Sequence, residues 1–400
     1  MNGVGARSAR TGAGFDGLLL AAALALTALG TVMVYSASAV VAETRLHAQF
    51  YFLVRQLVAA GAGLVLLVVA LRTGTARLER ATPVIAYVTL AGLFLVLVPG
   101  IGRMAGGARR WIDLGVFSFQ PAEAAKVALV LWLARRLAAT DREKLRDLKT
   151  GFLPHVGAAG LVMMLCLAER DFGSCVVLFV VLLALLFVAG ARPAHLGGAL
   201  GIAGVAGWWA IAGTPYRMKR IQDWLQPFEH REGGGYQMVE SLLGIGNGGW
   251  LGQGLGQGKG KLFYLPAAHT DFIGAVVAEE LGLLGMAVLV LLYALFAWRG
   301  LRAAARADTP FACYTAVGLT ALVGVQALLN LSVVLVLLPT KGLTLPFVSY
   351  GGSSLMTLLF GTGVLLAISC ARGGYAKPSE HAVRKGLPAA ALATDPEALP

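Results

Sequence analysis

The side chains able to do chemistry collect in four polar patches of an otherwise apolar chain. The first runs from Arg109-Arg110-Trp111 to Asp113, then through Gln120-Pro121-Ala122-Glu123 to Lys126. The second is Glu169-Arg170-Asp171-Phe172-Gly173-Ser174. The third is a basic, glycine-rich stretch ending in Leu265-Pro266-Ala267-Ala268-His269-Thr270-Asp271. The fourth runs from Pro339-Thr340-Lys341-Gly342 to Ser349-Tyr350-Gly351-Gly352-Ser353-Ser354. Asp271 has two readings. Thr270 or Asp271 suits a helix N-cap, where an anion also meets the positive end of the helix dipole. The adjacent histidine, the rigid Leu-Pro and the basic loop before it argue instead for a reactive carboxylate. Glu123 and Lys126 are three apart, so they share a helical face either as a structural ion pair or with Lys126 turned to an anionic substrate. Glu279 and Glu280 are acids at membrane depth, suspects by default, although helix–helix pairing also accounts for them.

Other patterns carry less. Gly244-Ile245-Gly246-Asn247-Gly248-Gly249 satisfies the dinucleotide fingerprint but follows no strand, and Gly258-Lys259-Gly260 is not a phosphate-binding loop. The remaining histidines show no metal-ligand spacing. Cys166, Cys175, Cys313 and Cys370 form no CxxC pair, so they read as small packing residues.

The elements that must position these residues are membrane-spanning helices. Hydrophobic residues make up 57% of the 400 positions and charged ones 14%, against about 25% charged in soluble domains; the mean hydropathy is +0.73. A bilayer-spanning helix needs about 20 mainly apolar residues. Ten runs qualify: Phe15–Ala39, Phe52–Leu71, Pro83–Ile101, Pro121–Ala139, Phe152–Ala168, Phe172–Gly190, Leu196–Gly213, Phe272–Trp298, Phe311–Leu338 and Leu355–Cys370. The first is long for a signal peptide and is read as a retained helix. The sequence therefore predicts an all-α polytopic integral membrane protein, with one transmembrane domain over 1–372, a large outer loop near 214–270 and a disordered cytoplasmic tail at 373–400. The net charge of +12 is read through the positive-inside rule rather than as a nucleic-acid footprint. Nineteen Lys and Arg fall on one set of segments and six on the short loops opposite, which puts both termini in the cytoplasm and all four patches outside.

The fourth patch resembles the signature of the SEDS family (shape, elongation, division and sporulation), PTKG-x-x-LPF-[IV]-SYGGSS. Tyr35-Ser36-Ala37-Ser38, Arg110-Trp111-Ile112, Gln120-Pro121 with Glu123, Gly235-Tyr236-Gln237 and Leu265-Pro266 with His269-Thr270-Asp271-Phe272 extend the match over nearly all the chain before the tail. Gly249-Trp250 and Lys261-Leu262-Phe263-Tyr264 look more like the division branch than the elongation branch. The resemblance implies a ten-helix fold and a peptidoglycan glycosyltransferase that polymerises lipid II beside a class B penicillin-binding protein and other division membrane proteins. It assigns the essential aspartate to Asp271. It assigns substrate-side polar roles to Arg110, Gln120, Glu123, Lys126, Asp171, His269, Thr270, Lys341, Ser349 and Ser353. No cofactor is required by it, and a divalent cation, Mg or Mn, stays open. Ala122, Glu169-Arg170, Thr344 and Gln226 depart from the usual Ser, Gln-Pro, Pro and Asp.

For such a transfer an ordinary glycoside needs an acid and a base. A pyrophosphate leaves as a stable anion, so cations can replace the acid. One carboxylate, Asp271, would then suffice as base, with Arg110, Arg170, Arg217, Lys219, Arg220 and Lys341 as the pool of cations. The competing classes are a lipid II flippase lined by Glu123, Lys126, Glu279 and Glu280, an elongation-type polymerase, and a scaffold that only recruits a transpeptidase.

Overall fold

A computed structural model describes residues 14–105, 108–113, 115, 118–258, 267–340 and 342–370. Lys341, the Leu265-Pro266 pair and the expected tail lie outside the described residues. Ten long helices appear where the apolar runs predict them: α1 (Gly17–Leu46), α2 (Tyr51–Thr73), α3 (Thr75–Leu97), α4 (Pro121–Ala138), α6 (Leu153–Ala168), α7 (Phe172–Ala189), α8 (Pro193–Ala212), α11 (Ile273–Ala305), α12 (Pro310–Val334) and α13 (Gly352–Ser369). Short helices α5 (Arg142–Leu145), α9 (Pro215–Leu225) and α10 (Tyr236–Gly248) lie in connections, and a small antiparallel sheet, β1 (Gly102–Ala105), β2 (Ala108–Asp113) and β3 (Ser118–Phe119), joins α3 to α4. Eight helices among the described residues are long and apolar enough to cross a membrane. Of the expected ten, α4 and α8 are not among the eight, and α4 falls short because Glu123, Lys126, Arg135 and Arg136 sit within its 18 residues.

Both ends of the described chain lie at one end of the bundle. Asp16 caps α1, pairs with Arg299 near the end of α11, and donates its backbone N–H to the Ser369 hydroxyl at the end of α13, 3.1 Å away. The connections carrying the four patches therefore gather at the opposite end. α12 crosses the interior, packed against α11, α4 and α7, while α13 lies along α2. That last approach is close enough that a Cβ on Gly363 would come within 2.3 Å of the Leu67 carbonyl.

Some boundaries differ from the sequence reading. α3 begins at Thr75 and keeps Pro83 inside, because the turn at Gly74 (φ 72°) starts a new helix at once. A proline suits a first helical turn, but it need not mark one. The fingerprint-like glycines at 244–248 are the last turn of α10, a helix and not a phosphate cradle.

The largest departure is a break within α11 at Gly282 (φ 66°, ψ −163°). In an unbroken helix the N–H groups of Leu283 and Leu284 would bond the carbonyls of Glu279 and Glu280. They donate instead to the carbonyls of Gly249 (2.9 Å) and Trp250 (3.2 Å), while Glu279 and Glu280 accept from the N–H groups of Gln253 (2.9 Å) and Gly254 (3.0 Å). The loop after α10 thus supplies both halves of the missing ladder. Only glycine fits the break: a Cβ at 282 would lie 2.3 Å from the Gly252 nitrogen. Gly282→Ala is expected to destabilise the protein by about 1–3 kcal/mol, seen as a lowered Tm of the purified protein in detergent; an unchanged Tm would contradict the swapped ladder.

Candidate functional site

Irregular chain builds this site, and one amide on α12 holds it together. Asn330 is buried near the end of that helix and donates from Nδ2 to the Asp271 carbonyl (2.9 Å) and the Leu343 carbonyl (2.6 Å). The Ser349 hydroxyl donates to the Thr270 carbonyl (2.5 Å) and accepts from the Leu345 N–H (2.8 Å), while the Tyr350 N–H reaches the His269 carbonyl (2.9 Å). The segments 267–272 and 342–351 are thereby tied to each other and to α12. A cavity of about 930 Å³ opens beside them, lined by Asp271, Asp171, Arg110, Arg170, Arg217 and Arg220 together with Gln237, Asn330 and Thr340.

Asp271 stands in the wall of this cavity. Burial raises its pKa from the usual carboxylate value to about 6; Arg110 and Arg220 oppose the rise and Asp171 adds to it. Such a carboxyl binds a proton far better than a free aspartate yet is mostly ionised at neutral pH. Its backbone carbonyl accepts from Asn330.

The neighbouring acids have other work. Asp171 caps α7, accepting from the Ser174 N–H (3.0 Å) and hydroxyl (2.8 Å) and from Gln120 Nε2 (3.3 Å). Glu169 ends α6 with its carboxyl fully buried and both oxygens unpartnered. Burial first, then the charge of Asp171, pushes it up to about 8 against the pull of Arg110, so it holds its proton at neutral pH. Arg110 projects from β2 and donates to the carbonyls of Glu169 (2.9 Å) and Arg170 (2.5 Å). A cation at a helix C-terminus is well placed against the dipole, and here it also fixes the guanidinium at the cavity wall.

The predicted site residues divide into layers. Arg110, Asp171 and Asp271 line the cavity. Gln120 and Ser353 stand behind it, the Gln120 N–H donating to Ser353 Oγ (3.0 Å). His269, Thr270 and Ser349 belong to the tie; the His269 ring packs tilted against Phe52 and Tyr350, and burial lowers its pKa, disfavouring the charged form. Glu123 and Lys126 lie deeper and do not line the cavity. Lys126 Nζ bonds Glu123 (2.8 Å) and Gln326 (3.1 Å), and Gln326 passes the link to the Thr344 carbonyl (3.0 Å). Among the cations, Lys219 is exposed and off the cavity wall. Glu279 and Glu280 also sit elsewhere, Glu280 accepting from the Ser36 hydroxyl (2.7 Å) and the Gly256 N–H (3.0 Å). Among the described residues no three His, Cys, Asp or Glu side chains converge as metal ligands. Asn330 and Gln326 escaped the sequence reading. The available signal was two amides inside the apolar run of α12, since polar groups in a spanning helix are costly and face the protein interior.

Residues 16–373 match the family model described as cell cycle protein, FtsW/RodA/SpoVE. The chain belongs to this family. The FtsW/RodA/SpoVE relatives include the probable peptidoglycan glycosyltransferase FtsW of Geobacter sulfurreducens, 44% identical over 357 residues that cover 89% of this chain and 95% of that one. Stage V sporulation protein E of Bacillus subtilis is 38% identical, covering 88% and 96%. Among solved structures, a chain from a peptidoglycan synthase complex described as coordinating polymerization and crosslinking has a TM-score of 0.74 at 31% identity, covering 89% and 97%. The rod shape determining protein RodA of Thermus thermophilus has a TM-score of 0.64 at 30% identity, covering 89% and 96%. The fold of this FtsW/RodA/SpoVE member is thus that of a bacterial inner-membrane protein.

Asn330→Leu keeps the branched shape but leaves two carbonyls without their donor, which costs about 1–3 kcal/mol for each such group. The expected result is a lowered Tm together with faster proteolysis of the 267–272 segment; unchanged melting would show that the amide does not hold the site.

Proposed function

We propose that the chain is a peptidoglycan glycosyltransferase that polymerises lipid II into glycan strands during cell division, with Asp271 as general base. The observation that carries the chemistry is a carboxyl with pKa about 6 in a cavity walled by four arginines. The names of its relatives support the reaction class, and the cavity of about 930 Å³ falls within the range of about 300–1,000 Å³ usual for small-molecule sites.

The acceptor sugar hydroxyl attacks the anomeric carbon of the donor as the bond from that carbon to the undecaprenyl pyrophosphate oxygen breaks. The hydroxyl proton passes to an Asp271 carboxylate oxygen, and the departing diphosphate gains its negative charge among Arg110, Arg170, Arg217 and Arg220. Preformed cations around developing charge stabilise a transition state without reorganising. A single displacement inverts the anomeric centre. Lys341 joins this pool by resemblance.

The charge asymmetry of the loops supports cytoplasmic termini and a periplasmic site, where lipid II would be consumed at the division septum. Membership of a family with a synthase-complex structure supports a class B penicillin-binding protein as partner. The flippase reading has less to stand on, because Glu123 and Lys126 are closed into a bonded chain with Gln326.

In polymerisation assays with purified lipid II and the partner transpeptidase, Asp271→Asn is expected to give no glycan ladder while keeping its Tm and its partner. Normal strands from that variant would remove Asp271 from the mechanism. In the unsubstituted protein the rate should fall about tenfold per pH unit below pH about 6, as Asp271 is protonated. Arg110 favours the ionised form of Asp271. Its replacement by Ala should therefore move the acid limb to higher pH, and a limb that stays in place would contradict the electrostatic coupling.

A further inference from the structure

The loop docked at the break in α11 carries an apolar tip that the chemistry above does not use. Trp250 and Leu251 are each 76% exposed and Leu255 is 56% exposed. They lie in a run, 244–258, that contains no charged residue, although the preceding residues 217–240 carry Arg217, Lys219, Arg220, Asp223, Arg231 and several glutamates.

The level of this tip can be read from α11. Arg299 is paired with Asp16 at the end of the bundle that holds both chain ends, and the neighbouring Trp298, Arg302 and Arg306 make that level a boundary between apolar and polar chain. Leu284 stands fifteen residues above Arg299, about 22 Å along the helix at 1.5 Å per residue. The hydrocarbon slab is about 30 Å thick, so Leu284 lies inside its far edge. The Leu284 N–H bonds the Trp250 carbonyl, which places the tip at the same depth. Its surroundings agree, since Leu283, Leu284, Val288 and Leu291 expose a continuous apolar face on α11 directly below.

We infer that the turn Trp250–Leu255 is a membrane-inserted anchor, its side chains seated among the lipids of the leaflet on the site's side. Irregular backbone at that depth is tolerated only where protein satisfies its polar groups. The swapped ladder does so: the carbonyls of Gly249 and Trp250 accept from α11, and the N–H groups of Gln253 and Gly254 donate to it. An indole with its ring in lipid and its N–H near the polar boundary is the usual occupant of that level. The anchor holds the outer loop to the bilayer at the point from which the Gly256 N–H reaches Glu280.

The test uses the full-length protein in vesicles whose phospholipids are brominated on the upper acyl chain. The Trp250 component is the difference between the unsubstituted protein and Trp250→Phe. That component should be quenched by the bromolipid and shielded from aqueous acrylamide; the reverse pattern overturns the anchor. A photo-crosslinking amino acid at position 251, activated in native membranes, keeps the test independent of that variant's folding. A lipid adduct is expected. A single protein adduct in its place would show a partner's surface on the turn and overturn the lipid assignment.

Discussion

In hydrocarbon no water is available to satisfy backbone polar groups, and that constraint governs how this site is built. The candidate site consists largely of chain that is not helical, yet it sits among helices that cross the membrane. Each irregular segment therefore needs a fixed protein partner. The 267–272 and 342–351 segments use Asn330, Ser349 and one another. The loop at 249–254 uses the open ends of the α11 ladder. Positions set in this way leave little slack, which is what a reaction depending on one carboxylate demands.

The same setting gives three neighbouring acids three different fates. Asp171 is spent on capping α7 and on Gln120. Glu169, buried without a partner, keeps its proton. Asp271 lies between, pushed up by burial and held back by Arg110 and Arg220. Desolvation alone would make it an acid like Glu169, and the guanidinium groups alone would make it as weak a base as a surface aspartate. The balance between them yields a carboxylate that is ionised at neutral pH and still accepts a proton readily. The deeper Glu123–Lys126–Gln326–Thr344 chain performs a separate task, joining α4 and α12 to the 342–351 segment.

Much of this was legible in the sequence because spanning helices announce themselves by length and composition. The ten runs and the gathering of the polar patches at one end came from residue order and hydropathy, whereas Asp271 stood open between a helix cap and a reactive carboxylate until the family resemblance assigned it. The break at Gly282 was not legible, since a glycine within an apolar run has the same composition whether the helix continues or stops. Nor was the role of Asn330, because the two carbonyls it serves lie 59 and 13 residues away along the chain. Glu169 was visible as the start of the second polar patch and as a departure from a family pattern; its unpartnered burial follows from packing that no local window contains. The run read from Pro83 starts later than the helix, because hydropathy marks only the apolar stretch while Gly74 sets the start of α3 at Thr75.

The proton affinity of one side chain decides the proposed chemistry, and infrared difference spectroscopy can titrate it directly. The carboxyl C=O band of Asp271, assigned by its loss in Asp271→Asn, should lose half its intensity near pH 6 as the pH is raised. A midpoint near pH 4, that of an unperturbed aspartate, would contradict the balance of burial and guanidinium charge on which the mechanism rests.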